Sequence, residues 1–278
     1  MALTDNDPRR ARTFERGEAL TSLSSEVGAP DGPGLGGSGR RARHLAPIAI
    51  LGATTSGKTK LAIEAAVARG GDVVGADKFY VFREFPVATG RADVLRADVA
   101  THLIGGRDAQ AGALSVGEYG AALEATLDGL AANGRAAVIE GCSFGFGHVA
   151  ARAVRARGGT VIGIAPRFEG LRARVERRLQ EALRDDLERE AMEATRPDLL
   201  DTFVVQRSVV LRPLVDWLGG RASRQAALDR IVEGVLSAAR SQHAKFLRLS
   251  GVRWIDPSSE ALATVLAGNS LWPREARW

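Results

Sequence analysis

The sequence predicts an α/β protein, a parallel sheet flanked by helices with a helical subdomain towards the C-terminus, and three observations carry that prediction. Short apolar runs alternate with segments of helical composition from His44 to about residue 165, a pattern that lays a parallel sheet between helices. The first run, residues 47–51, leads directly into Gly52-Ala-Thr-Thr-Ser-Gly-Lys-Thr59 and then into Lys60-Leu-Ala-Ile-Glu-Ala-Ala-Val67, which favours a helix. After Pro166 the sequence turns helical for most of its length.

Taken in order, residues 1–43 have almost no apolar periodicity and are dominated by Gly, Pro and Ser between residues 28 and 39, the composition of a disordered leader. Strands are expected at residues 47–51, 72–76, 102–104, 136–140 and 160–165. Ser115-Val-Gly-Glu118 has capping-box spacing, with a helix beyond it over residues 121–130. Further helices are expected over residues 168–194, 198–218 and 221–249. The division is therefore a leader (1–43), an α/β core (44–166) and a helical subdomain packed on the core (167–278).

Composition narrows the function. With 278 residues, 45% hydrophobic and 26% charged, the chain can bury a full core without staples. Its one cysteine, Cys142, rules out an internal disulfide or a thiolate metal cluster, fits a reducing cytosol, and reads as a small packing residue. No apolar stretch approaches the ~20 residues of a membrane helix, and the N-terminus lacks an apolar signal core, so a soluble cytoplasmic protein without membrane contact is expected. The net charge of +5 is a modest excess that phosphate binding explains, whereas a nucleic-acid binder usually carries a denser basic face.

The loop at residues 52–59 reads as a P-loop, which makes the expected core P-loop NTPase-like. Gly52 and Gly57 let the backbone turn its N–H groups onto an anion, and the following helix adds its own unsatisfied N–H groups and dipole. Thr54, Ser56, Lys58 and Thr59 complete the expected phosphate site, with the Thr59 hydroxyl placed to ligate Mg²⁺. Asp77 closes the second strand at the same carboxyl edge, where open α/β sheets bind ligands; a carboxylate there can hold a metal or take a proton. Further on come Thr89-Gly90-Arg91, Ile139-Glu140-Gly141-Cys142-Ser143 and Arg240-Ser-Gln242-His-Ala-Lys245.

In order and spacing these motifs resemble the isopentenyltransferase family, over about residues 46–246. The resemblance implies transfer of a dimethylallyl group from dimethylallyl diphosphate to the N6 amine of an adenine. Asp77 would be the general base, Thr89 would hold the bridging oxygen or the acceptor amine, and Arg207 and Arg240 would join the loop in binding diphosphate. The family has a cytokinin-forming adenylate branch and a tRNA branch. The Thr-Gly-Arg element and the short folded part are closer to the first, so AMP or another small amine is the expected acceptor and tRNA is not. Tyr80 stands where the family has the glutamine that frames the acceptor, and Val205-Gln206-Arg207 keeps only the arginine of a Gly-Tyr-Arg segment. Val235, Leu236 and Ala238 make the late helix apolar where hydroxylated donors meet polar groups, which suits the plain donor.

Two other classes stay open on the residues alone. A small-molecule or nucleotide kinase would use the same loop, with Arg167, Arg172, Arg174, Arg177 and Arg178 as a phosphoryl-clamping lid, although Arg and acids at helical spacing in that stretch usually mark a salt-bridged surface helix. A nucleotide-binding module without catalysis would need no base at Asp77.

Overall fold

The computed structural model describes residues 46–256, so the expected leader lies outside the described residues. Six strands form one parallel sheet: β1 (Ile48–Gly52), β2 (Asp72–Gly75), β3 (Thr101–His102), β4 (Ala137–Gly141), β5 (Thr160–Ile164) and β6 (Arg253–Ile255), ordered β3-β2-β4-β1-β5-β6. β1 lies inside, with Ile48 opposite both Val138 and Thr160. Every residue of β1 and β4 is buried, as helices on both faces of a parallel sheet require.

Side chains alternate across that sheet. Ile48 and Ile50 join Leu61, Ala62, Val73 and Val138 in one core beneath α1 (Lys58–Ala68). Ala49 and Leu51 point the other way, into a larger core. There they meet α3 (Val116–Ala132), α4 (Phe144–Ala156) and the later helices α5 (Leu171–Asp185), α6 (Leu187–Glu193), α7 (Pro197–Leu200), α8 (Phe203–Arg207), α9 (Leu211–Leu218) and α10 (Arg224–Phe246). A short α2 (Ala92–Arg96) precedes β3. No helix among the described residues is long and apolar enough to cross a membrane.

The five expected strands and the capping box are present; the Ser115 hydroxyl accepts from Glu118 N–H while the Glu118 carboxylate accepts from Ser115 N–H. Four expectations change. The third strand stops at His102 because Leu103 turns to φ 57°. The expected 168–194 helix breaks at Asp186, which has φ 113°. The 198–218 helix divides into three, and the Ser208 hydroxyl restarts the chain as α9 by accepting from the N–H groups of Val210 and Leu211. Finally, β6 was missed: after α10 the chain returns from the helices to pair with β5.

Candidate active site

At the carboxyl ends of β1, β2 and β4 the helices leave a cleft enclosing about 310 Å³. The glycine loop forms its floor. A Cβ on Gly52 would sit 2.8 Å from the Ile164 carbonyl oxygen, so only glycine lets the chain leave β1 so close to the end of β5. Gly57, at φ 88°, turns it into α1, whose first N–H groups have no acceptor within the helix. Lys58 is buried, Thr59 half-buried, and both line the cleft with Thr54. The Ser56 hydroxyl is buried in the loop without a hydrogen-bond partner among the described residues.

Asp77 follows β2 and is 3% exposed. Its Oδ1 accepts from Phe79 N–H at 2.8 Å, fixing the turn, and its Oδ2 accepts from the Cys142 thiol at 2.6 Å. The Ser143 hydroxyl accepts from Lys78 N–H, so the ends of β2 and β4 are stitched together on both sides of Asp77. Burial, with Asp77 beside it, pushes the Cys142 thiol up and keeps it protonated. Cys142 is thus a hydrogen-bond donor in the cleft, where a packing role was expected.

Glu140 is fully buried, 3.4 Å and 3.5 Å by its two oxygens from the Thr59 hydroxyl. Burial raises its pKa, Asp77 adds to the rise, and Lys58 opposes it. Tyr80 lines the cleft with its hydroxyl donating to the Gly90 carbonyl; burial, then Glu140, hold the phenol well above its ordinary value. Thr89 also faces the cleft, and its hydroxyl donates to the Phe85 carbonyl at 2.8 Å.

The opposite wall is apolar. Val175, Leu179 and Ala182 of α5, Leu187 of α6, and Val235 and Ala238 of α10 line it. Leu236 points into the core instead. Arg207, at the end of α8, is exposed on the rim.

The cleft therefore gathers Thr54, Lys58, Thr59, Asp77, Tyr80, Thr89, Arg207, Val235 and Ala238, with Gly52, Ser56 and Gly57 shaping its floor. Arg240 is a correction. It is exposed and does not line the cleft, because two residues beyond Ala238 rotate a side chain by about 200° around the helix. From the same segment Gln242 enters instead, its Oε1 accepting from Thr54 N–H at 2.7 Å and its Nε2 lying 3.4 Å from the Cys142 sulfur. The arginine lid is likewise absent: Arg167 pairs with Asp256, Arg172 with Glu233 and Glu176, and Arg174 donates to the Glu169 carbonyl. Only Arg178 of that group reaches the lining, and it pairs with Asp93 at 3.7 Å.

Gln242 and the apolar face of α5 escaped the sequence reading. Gln242 lies inside a motif whose charges drew the attention. The face was signalled by Leu171, Val175 and Leu179 at four-residue spacing beneath the arginines.

These features define a P-loop-type α/β core with a carboxylate beside the phosphate-type loop and an apolar wall opposite. Residues 46–157 match the family model of isopentenyl transferases. The chain is 40% identical over 95 residues to a tRNA dimethylallyltransferase of Caulobacter sp. (strain K31), covering 34% of this chain and 30% of that protein. It is 31% identical over 97 residues to adenylate isopentenyltransferase 7, mitochondrial, of Arabidopsis thaliana, again covering 34% of this chain and 30% of that protein. The chain thus spans about a third of the length of these curated relatives. In fold, the chain is similar to the full-length tRNA isopentenylpyrophosphate transferase of Bacillus halodurans, with a TM-score of 0.68 at 19% identity over 80% of this chain and 95% of that one.

Proposed function

We propose that this protein transfers a dimethylallyl group from dimethylallyl diphosphate to the exocyclic amine of an adenine, releasing diphosphate. The observation that carries the reading is the meeting, in one cleft, of the glycine loop with Lys58, the buried carboxylate of Asp77 and an apolar wall. As the allylic C–O bond breaks, negative charge grows on the diphosphate. The loop N–H groups, Lys58 and Arg207 stabilise that charge in place, usually the largest contribution in such catalysis.

The Thr59 hydroxyl lies 3.4 Å and 3.5 Å from the Glu140 oxygens and also meets Tyr80; Thr59 would hold Mg²⁺, which when bound offsets charge on the leaving group. The amine nitrogen attacks the allyl carbon, the new C–N bond forms, and Asp77 takes the amine proton, a contribution of roughly 10²- to 10⁴-fold for a positioned base. Because the Thr89 hydroxyl already donates to Phe85, it offers the cleft lone pairs only and so accepts from the amine rather than holding the bridging oxygen. Val175, Leu179, Val235 and Ala238 keep water from the allyl cation and suit an unhydroxylated prenyl tail.

On the acceptor, the similar proteins include tRNA dimethylallyltransferases of several bacteria and an adenylate isopentenyltransferase of Arabidopsis thaliana, the former at higher identity. That favours adenosine in tRNA over AMP, the acceptor to which the Thr89-Gly90-Arg91 element and the short folded part point. The test is incubation with dimethylallyl diphosphate and Mg²⁺ against tRNA, AMP, ADP and ATP in parallel, followed by a mass search for added C5H8. Addition to an adenine is expected. Donor left intact beside every acceptor overturns the reading.

A further inference from the structure

The turn that carries Thr89 into the cleft is held only in part by its own backbone, through Thr89 N–H to the Phe85 carbonyl and Gly90 N–H to the Val87 carbonyl. Phe85 enters it at φ 59°, a conformation that disfavours bulky side chains, and the N–H groups of Val87 and Ala88 find no backbone acceptor. Both are taken by one carboxylate more than a hundred residues away. Glu190, on α6 and 2% exposed, accepts from Val87 N–H at 2.9 Å and from Ala88 N–H at 2.8 Å, one with each oxygen. Arg91, also 2% exposed, closes the turn from inside by donating to the carbonyls of Arg83 and Glu84; burial raises the Glu190 pKa and lowers that of Arg91 to about 10, and the two opposite charges counter each other's shift.

We propose that Glu190 is a positioning residue for Thr89: its carboxylate fixes the Val87–Ala88 backbone and so sets the height of the Thr89 hydroxyl above the glycine loop. Leu187, one helical turn earlier on α6, lines the opposite wall. The same short helix therefore sets both the anchor of the turn and the width of the cleft across from it. A salt bridge on the surface of an arginine-rich helix would do neither. The residue acts through Thr89 and touches no reacting atom, and its kinetic consequence rests on the prenyl transfer proposed above.

The decisive variant is Glu190→Gln, which keeps shape and one acceptor oxygen but turns an amide NH₂ toward a backbone N–H. Losing a charge-assisted hydrogen bond in a buried site should speed amide exchange at Val87 and Ala88 by about tenfold or more while the β1 amides keep their protection. Exchange measured by NMR needs no substrate, so it reads the clamp even where no acceptor is modified. In the transfer assay kcat should fall about tenfold with donor affinity within about twofold, because the glycine loop hangs from β1 and not from α6. A double-mutant cycle separates positioning from general softening: once Thr89→Ala has removed the hydroxyl, adding Glu190→Gln should cost less than about a further twofold. Should Glu190→Gln fail to fold, Glu190→Asp, which keeps the charge but withdraws it by one methylene, is read in the same way. Unchanged exchange at residues 87 and 88, or losses that multiply in the double variant, overturn the proposal. An inactive parent with the exchange effect present would instead remove the prenyl-transfer reading and leave the clamp standing.

Discussion

Lys58 and Asp77 are both nearly inaccessible to solvent, yet their removal should have opposite signatures. Lys58 meets the diphosphate in the ground state and in the transition state, so Lys58→Ala should weaken dimethylallyl diphosphate binding, read by calorimetry. Asp77 meets a proton that leaves only as the C–N bond forms. Asp77→Asn keeps the acceptor for Phe79 N–H and should lower kcat by roughly 10²-fold or more with donor affinity preserved. Parent-like binding in the first variant removes the loop from donor binding, and parent-like turnover in the second removes the base. At this scale the sequence was legible wherever function depends on a local string: residues 52–59 and the carboxylate closing β2 stand where their motifs put them. It was not legible for Gln242 and Glu190, whose partners Thr54 and Val87–Ala88 lie 188 and about a hundred residues away in sequence. Nothing local distinguishes a glutamate that reaches a distant turn from one that reaches water.

Elements were readable in proportion to their length and to the locality of their caps. α3 and α10 begin at Ser115 and Ser223, each with its hydroxyl accepting from an N–H three residues on, and such starts are visible in sequence. β6 has three residues and is a strand only because β5 offers an edge, a tertiary cause with no local sign. The junction of α10 and β6 carries its own test. His243 lies between Phe168 and Trp254, with ring centroids 5.6 Å and 5.5 Å away, and its Nδ1 is buried without a hydrogen-bond partner. Burial lowers its pKa below the ordinary 6.5. The unfolded chain then binds more protons than the folded one between that lowered value and about 6.5, so stability rises with pH across this window and is lost as pH falls through it. His243→Phe should flatten that part of the profile, read as urea midpoints from pH 5 to 7.5. A slope that survives the substitution would assign it to another group.

Over the whole molecule, charge decides how an acceptor is held. The net charge is +5, but much of the basic surface is already neutralised: Arg96 pairs with Asp185, Arg172 with Glu233, Arg196 with Asp198 and Arg224 with Glu188. Composition showed the excess; the pairing came only with the fold, because most of these partners lie on different helices. At the cleft mouth the exposed cations are Arg178, which Asp93 pairs at 3.7 Å, Arg207 and Lys78, the last 4.9 Å above the Phe79 ring. Two or three phosphate contacts are what such a rim can make. For a tRNA acceptor the KM should therefore rise by about tenfold between 50 mM and 200 mM salt, against the 10³-fold or more that six or more neutralised phosphates would give. For AMP, whose phosphate makes at most one such contact, the change should stay within about threefold. The two salt series, run on the same enzyme with the donor saturating, read the grip directly. A tRNA series as steep as 10³-fold would show that many more cations than these reach the RNA, and that the paired arginines exchange their carboxylates for phosphates when it binds.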